Sequence, residues 1–382
     1  MKNKVFASVV AFLFTAGWAA NHFASVLVVL REKLHLSALL VNGAYGIYAV
    51  GLLPCLLAGG ALADRYGGRP VAMTGSAIAV VGNLVLMLDH GTLGLLAGRL
   101  VVGLGVGLVV SAGTAWATRL RGAAGATVAG IVLTAGFASG PVISGVAEMV
   151  FAPLWTPFVL TIAASLAAMG FSLHAGDEPR IIDNANPGPS VDTTASPAKA
   201  LATSVPVAMW VFAAITTSLI GLSARVAHYF STGVFLPGVA AVLGFGAGLI
   251  VQALGRRFAW GPRAGVVGIC FAAAGFLLVA VAGAAPPLPA FVVATLMLGT
   301  AYGLCLRDGL LDVNAYSPPS HRGRILGAYY CATYIGFGLP PLMQWLEPRV
   351  GPSLPFFVLS GVAIAAALLR HSQIRAGYLN RT

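Results

Sequence analysis

Charge is what this sequence has least of. Only 9% of its 382 residues are Asp, Glu, Lys or Arg, against about 25% in an ordinary soluble domain. Acids are the scarcer sign, eleven against 22 Lys and Arg. So few ionised groups cannot solvate the surface of a globular protein of this length, and much of the exterior must meet lipid. Cysteine is equally sparse. Cys55, Cys270, Cys305 and Cys331 lie singly in apolar stretches, without CxxC spacing or a clustered His. That pattern excludes a disulfide framework or a zinc site and leaves packing. No nucleophile–base arrangement or metal-ligand spacing stands out, so neither an enzyme nor a metal centre is expected. A P-loop is missing too. Gly103–Gly107 and Gly244–Gly248 imitate dinucleotide loops, but they follow no strand and lack the full fingerprint, so no cofactor is expected.

What fills the chain is hydrophobic: 58% of residues, gathered in runs long enough to cross a bilayer. Six such runs occupy Val5–Leu30, Ala38–Leu62, Pro70–Leu88, Leu93–Ala117, Ala124–Val150 and Pro153–Leu173. Lys2 and Lys4 before the first run imitate a secretory signal, but the run is long enough to span and reads as a retained helix. Residues 175–204, rich in Asp, Asn, Pro, Ser and Thr, read as a solvated linker. Six further runs follow at Val205–Val226, Val234–Leu254, Ala264–Ala284, Leu288–Leu311, Ile325–Leu346 and Leu354–Leu369. The expectation is an all-α membrane protein of twelve transmembrane helices in two pseudo-symmetric six-helix bundles, residues 1–174 and 205–382.

The net charge of +11 invites a nucleic-acid reading, which the positions refuse. The bases sit between apolar runs and form no basic face. With the N-terminus inside, sixteen of the 22 Lys and Arg fall on the cytoplasmic side and three on the other. Arg99, Arg307 and Arg225 remain within spans. This bias predicts a multi-pass protein of a bacterial inner membrane with both termini cytoplasmic and the lipid bilayer as its surroundings.

The halves repeat. Arg121-Gly122 opens the fifth span with Pro141 twenty residues on, and Arg322-Gly323 opens the eleventh with Pro341 nineteen residues on. The turn Asp64–Arg69 after span two is echoed, without its acid, by Arg256–Arg263 after span eight. A tandem repeat of this kind places a small-molecule path between halves that rock about a midplane site.

Three motifs carry a resemblance. The stretch from Gly60 to Arg69 offers Gly60 for close helix approach, Gly67 for a tight turn, and Asp64 beside Arg65 and Arg69 as ion-pair partners. It resembles the G-x-L-x-D-R-x-G-R-[RK] loop of the major facilitator superfamily, with Gly68 where that family usually has a base. The resemblance implies that Gly60, Asp64, Arg65, Gly67 and Arg69 gate the cytoplasmic side, with the start of span eleven as partner. Leu95, Arg99, Gly103 and Gly105 in span four resemble the family's L-x-x-x-R-x-x-Q-G-x-G, associated with proton coupling, with Val102 in place of Gln. An arginine there must be paired or hydrated, or else snorkel to the outer interface. Gly136, Gly140, Pro141 and Gly145 in span five make a kinked helix with a narrow contact face. They resemble G-x-x-x-G-P-x-x-G-G, which marks antiporters, drug/proton exporters above all; Ser144 replaces one glycine.

Coupling to protons needs a titratable group in the membrane. Asp308 and Asp312 lie one helical turn apart on span ten, beside Arg307. They are the first candidates, in a carrier role that requires Asp308 to face the path, and the competing reading is a closed structural Arg–Asp pair. Glu148, near the outer end of span five, is a further candidate. Asn21, His22, Tyr45, Tyr302, Tyr330 and Tyr334 are candidates for a substrate cavity, with helix packing as the plainer account. The resulting expectation is a secondary transporter that exports small amphipathic compounds against protons, for which a monomer suffices. An importer or facilitator of a metabolite, or a non-transporting scaffold or sensor, are the rival readings.

Overall fold

A computed structural model describes residues 2–151, 154–175, 196–318 and 321–381. Among them the regular structure is helical, with no strand. The helices are α1 (Asn3–Leu34), α2 (Ala38–Tyr66), α3 (Gly68–Leu88), α4 (Thr92–Gly122), α5 (Ala124–Phe151) and α6 (Thr156–His174). After the linker come α7 (Pro197–Tyr229), α8 (Leu236–Arg257), α9 (Arg263–Ala282) and α10 (Leu288–Tyr316). Next is α11, in three pieces: Arg322–Tyr334, a tighter turn Ile335–Gly338, and Leu339–Val350. The last is α12 (Leu354–Arg375). Eleven of these, all but α11, are single helices long and apolar enough to cross a membrane.

Local chemistry sets the boundaries. Ser37 caps α2 by accepting from the Leu40 N–H at 3.2 Å, and Ser196 caps α7 by accepting from Lys199 N–H at 3.1 Å. That second cap starts α7 inside the expected linker, so residues 197–204 are helix; the rest of the linker, 176–195, lies outside the described residues. Between α2 and α3 the chain turns at Gly67, φ 92°, a conformation that glycine adopts without steric cost. Between α4 and α5 the break falls at Arg121 and Gly122, the latter at φ 58°.

The eleventh span was expected to be one helix and is not. Pro340 and Pro341 supply no N–H, so the ladder cannot run through Ile335–Gly338. A turn of wider, π-type winding interrupts α7 at Thr217–Leu222.

The chain divides into two units, Met1–Asn184 with Val234–Val239, and Ala185–Gly233 with Ala240–Thr382. In the first, α1, α2 and α3 pack on the α4–α5 stretch. In the second, α10 packs on α7 and α9, and α9 also on α12. Large apolar side chains stand exposed along the helices, among them Val50, Leu88, Leu93, Val281 and Leu368. Polar side chains such as Asn21, His22, Asn83, Arg99 and Asp308 are buried instead. That inversion suits an exterior solvated by lipid.

Candidate functional site

At the α2–α3 turn the expected partners are replaced. Asp64, with its side chain 75% exposed, pairs with Arg119 of α4 at 2.8 Å. Neither Arg65 nor Arg69 takes it. Arg65 lies over the Tyr66 ring at 5.2 Å, and Arg69 donates to the Ser172 carbonyl at 2.5 Å in the last turn of α6. A cation there meets the negative end of the helix dipole. Arg119 also donates to Ala63 O, so one guanidinium holds both the acid and the helix end. Gly60 is not where the helices come closest. A Cβ there would meet Ser111 Oγ at 3.6 Å, ordinary contact, whereas at Gly59 it would stand 2.9 Å from Ser111 Cβ. Gly68, the departure from the family pattern, has its own reason. Trp116 is buried against it, and a Cβ would lie 2.5 Å from the indole. The start of span eleven, expected as the partner, falls at Arg322, whose side chain lies outside the described residues.

Arg99 does not snorkel. Its side chain is fully buried, donating from Nε to Ala44 O at 3.4 Å and from Nη2 to Ala20 O at 3.3 Å. The guanidinium also sits over Tyr48 at 4.5 Å, Phe23 at 4.8 Å and Tyr45 at 5.9 Å. Carbonyl dipoles and ring faces, with no carboxylate in contact among the described residues, hold this charge. Nearby His22 is buried edge-on to Phe158 at 5.6 Å.

The glycine face of α5 lies against α1. A Cβ at Gly136 would collide with Phe14 O, and one at Gly140 would stand 2.8 Å from both His22 N and Trp18 O. At Gly145 the nearest neighbour is no longer α1: a Cβ would stand 3.1 Å from Val234 O and 3.4 Å from Ser25 Oγ. Pro141 lacks the N–H that would bond Phe137 O in a regular helix. Asn21 Nδ2 donates to that carbonyl at 3.3 Å, and Ser25 Oγ donates to Pro141 O at 2.8 Å. The second unit repeats the device. Pro340 cannot bond Gly336 O, and Thr216 Oγ1 of α7 lies 3.0 Å from it, sharing its hydroxyl with Phe212 O at 2.8 Å. In lipid a freed backbone carbonyl needs such a partner. Further along α5, Glu148 pairs with Lys33 at 3.3 Å with its carboxylate only 1% exposed.

Asp308 and Asp312 share a face of α10 as expected, and both are fully buried. Their principal partner is not Arg307. Arg370 of α12 takes one oxygen of each, bonding Asp308 Oδ2 and lying 2.8 Å from Asp312 Oδ2. Arg381, beyond α12, takes the other two, bonding Asp308 Oδ1 and lying 3.1 Å from Asp312 Oδ1. Arg307 stays 3.9 Å from Asp308 and donates from Nη2 to Gly255 O at 2.8 Å and Trp260 O at 3.1 Å. Trp260 lies in the acid-free echo of the first loop, and Gly255 directly precedes it. Where α2 ends in an acid that meets an arginine of α4, α8 ends without one, and the arginine of α10 takes carbonyls.

Sequence reasoning missed Arg370 and Arg381, counting both as cytoplasmic surface charge. The one signal was the position of Arg370 directly on the end of an apolar run. The aromatic candidates divide. Tyr45 belongs to the Arg99 cage, while Tyr302 and Tyr334 are buried around Phe212, at 6.1 and 4.4 Å between ring centres. Tyr330 lies against Tyr329 at 5.7 Å. In the second unit, these tyrosines pack against other aromatic rings.

A family model described as the Major Facilitator Superfamily matches residues 7–311. The chain belongs to the major facilitator superfamily. Members of this superfamily are transporters, and a multi-pass membrane protein follows from the family and from the apolar helices. The chain is similar to the human (Homo sapiens) Proton myo-inositol cotransporter, 38% identical over 108 residues, which are 27% of this chain and 16% of that protein. It is also similar to Multidrug resistance protein MdtL of Klebsiella pneumoniae (strain 342), 33% identical over 78 residues, 20% of each. The matched stretches thus span a fifth or less of these relatives. Among solved structures, a POT family transporter in complex with 5-aminolevulinic acid superposes with a TM-score of 0.76 over 96% of both chains, at 12% identity. A peptide transporter POT in complex with alafosfalin gives 0.76 over 100% of both chains, at 14% identity. At such identities the likeness is one of the superfamily fold.

Proposed function

We propose that this superfamily member is a proton-coupled exporter of small amphipathic compounds, drugs or natural products, working by alternating access. The observation that carries the reading is the α1–α5 contact: Gly136 and Gly140 against the α1 backbone, with Asn21 bonded to the carbonyl freed by Pro141. Specific partners around a proline-bearing helix support the antiporter-like reading of this motif better than loose small-residue packing would. The similarity to MdtL supports the same direction. In this reading twelve spans form two halves, 1–174 and 205–382, joined by the linker 175–204. The protein sits in a bacterial inner membrane with both termini cytoplasmic. α11 spans in its broken form.

The chemistry of the cycle is an exchange. A proton entering from outside neutralises a buried acid, substrate leaves outward, and the acid deprotonates towards the cytoplasm. Asp308 and Asp312 are the proposed acids, closed by their arginines in the state described, and Asp64 with Arg119 forms the proposed cytoplasmic gate.

A second reading, proton-linked uptake, is favoured by the similarity to the proton myo-inositol cotransporter. Everted membrane vesicles separate the two. With a panel of fluorescent amphipathic dyes, an exporter accumulates dye in the vesicle lumen when the lumen is acid, and collapse of the gradient releases it. Accumulation that ignores the gradient and survives Asp308→Asn would sink the antiport mechanism. Acceleration of dye or sugar loss from the lumen by the same gradient would support uptake instead.

A further inference from the structure

After α12 ends at Arg375, the chain turns at Gly377, φ 68°, and folds back on its own unit. Leu379 is buried in an apolar cluster with Ala200, Val313, Tyr316 and Tyr329. Its N–H donates to Gln373 O at 3.1 Å. Lys199 of α7 lies over the rings of Tyr316 at 4.4 Å and Tyr378 at 5.4 Å, fastening the turn from the other side. This leaves Arg381 directed at the two acids. It also donates to the Asp308 backbone carbonyl at 2.9 Å. The division of labour is complete: Arg370 on both Oδ2 atoms, Arg381 on both Oδ1 atoms.

The two arginines are held differently. Arg370 is fixed in a membrane helix, fully buried, and anchored to Thr203 O at 2.6 Å. Arg381 rides on a short segment with a single buried apolar anchor. Such a segment opens at far lower cost than a packed helix. If it leaves, both Oδ1 atoms lose their direct partner at once. Arg307 Nη1 lies 3.9 Å from Asp308 Oδ1, beyond hydrogen-bond reach, while its Nη2 is held by the Gly255 and Trp260 carbonyls.

We infer that the segment Ala376–Arg381 is a latch in which Arg381 and a proton compete for the same edge of the Asp308–Asp312 pair. The exchange balances in charge: a protonated acid with Arg381 undocked becomes a carboxylate paired with Arg381, plus one released proton. Docking of Arg381 thus expels the proton, and protonation frees the segment. The other charged or titratable groups around the pair are Arg307, Cys305 and Tyr316 on α10, Tyr329 on α11 and Arg370 on α12, with Arg256 of α8 next to Arg307. The inference rests on the proposal that these acids carry the coupled proton, and gives that site its regulation.

The test needs no substrate. A nitroxide is placed at Asn380→Cys, an exposed position of the segment, in the full chain, with Cys55, Cys270, Cys305 and Cys331 replaced by alanine, in proteoliposomes. Its mobility is read from about pH 5 to about pH 9, with the mobile fraction expected to rise about tenfold per pH unit on acidification until it saturates, the slope of a one-proton exchange. Arg381→Gln should leave the label mobile at every pH, and so should Asp308→Asn combined with Asp312→Asn. Because that double variant strands Arg370 and can fail to fold, Arg381→Gln carries the test alone if it does. Mobility that is the same at both pH extremes, or a label still immobile in Arg381→Gln, overturns the latch. Should the latch fail while Asp308→Asn still abolishes gradient-driven transport, the function stands without it. Should transport ignore both, the acids lose their role altogether.

Discussion

Asn21 of α1 donates its side-chain N–H to the Phe137 carbonyl of α5, the acceptor that Pro141 leaves without a helical donor. A freed carbonyl that lipid could not satisfy is thereby made compatible with the membrane. Thr216 and Gly336 stand in the same relation in the second unit. The two units therefore share a specific hydrogen-bonding device.

Removing the donor should expose the pairing. Asn21→Ala is expected to destabilise the protein by about 1–2 kcal/mol, the cost of a buried acceptor without its partner. Pro141→Ala restores the helical N–H, so Asn21→Ala should cost less in a Pro141→Ala background. A double-mutant cycle of unfolding midpoints in detergent measures the coupling. Additive effects would mean that the bond contributes nothing.

Two glycines of one helix should behave differently. Gly136→Ala places a methyl into Phe14 O, whereas Gly130→Ala, one and a half turns earlier, meets nothing within 4 Å. The first should lower folded yield and transport sharply. The second should be neutral or slightly stabilising, because Ala exceeds Gly in helix propensity by about 1 kcal/mol. Equal yields from the two variants would refute the close α1–α5 contact.

Arg99 allows function to be separated from stability. Arg99→Met fills similar space and removes a buried charge held only by carbonyls and rings, so the fold should survive with its unfolding midpoint unchanged or raised. Transport should nevertheless be lost. An Arg99→Met protein that still drives dye accumulation would show that this cation is only structural.

The exposed pair at the α2–α3 turn is predicted to matter for the cycle more than for the fold. Asp64→Ala should change stability by no more than about 1 kcal/mol, as exposed ion pairs do. Transport should fall severalfold, and the exchange Asp64→Arg with Arg119→Asp should recover part of it. Failure of the exchanged pair to recover anything, with normal insertion, would place the role of Asp64 elsewhere.

Much of this molecule is legible in its residues taken in order. Runs of about 20 apolar residues mark spans, because a backbone in lipid must satisfy its own hydrogen bonds within the helix. Gly67 marks its turn by the same local logic, and so does the spacing that puts Asp308 and Asp312 on one face. The position of Pro141 likewise marks a carbonyl, Phe137 O, that its own helix cannot satisfy. The broken eleventh span was less visible: an apolar run with two prolines still reads as a run, and how far the ladder breaks depends on what neighbours can offer the freed carbonyls.

Partners were beyond the reach of order alone. Asp64 stands next to Arg65 yet pairs with Arg119, and Asp308 stands next to Arg307 yet is held by Arg370 and Arg381. Adjacent residues on a helix point about 100° apart, so neighbours in sequence seldom share a face. What an ion meets is decided by which helix packs against that face, and that is a property of the tertiary structure. The sequence by itself determined a membrane bundle with a repeated plan and the sites of its costly charges. Only the fold decided which of those charges close upon one another and which carbonyls each kink leaves to be claimed.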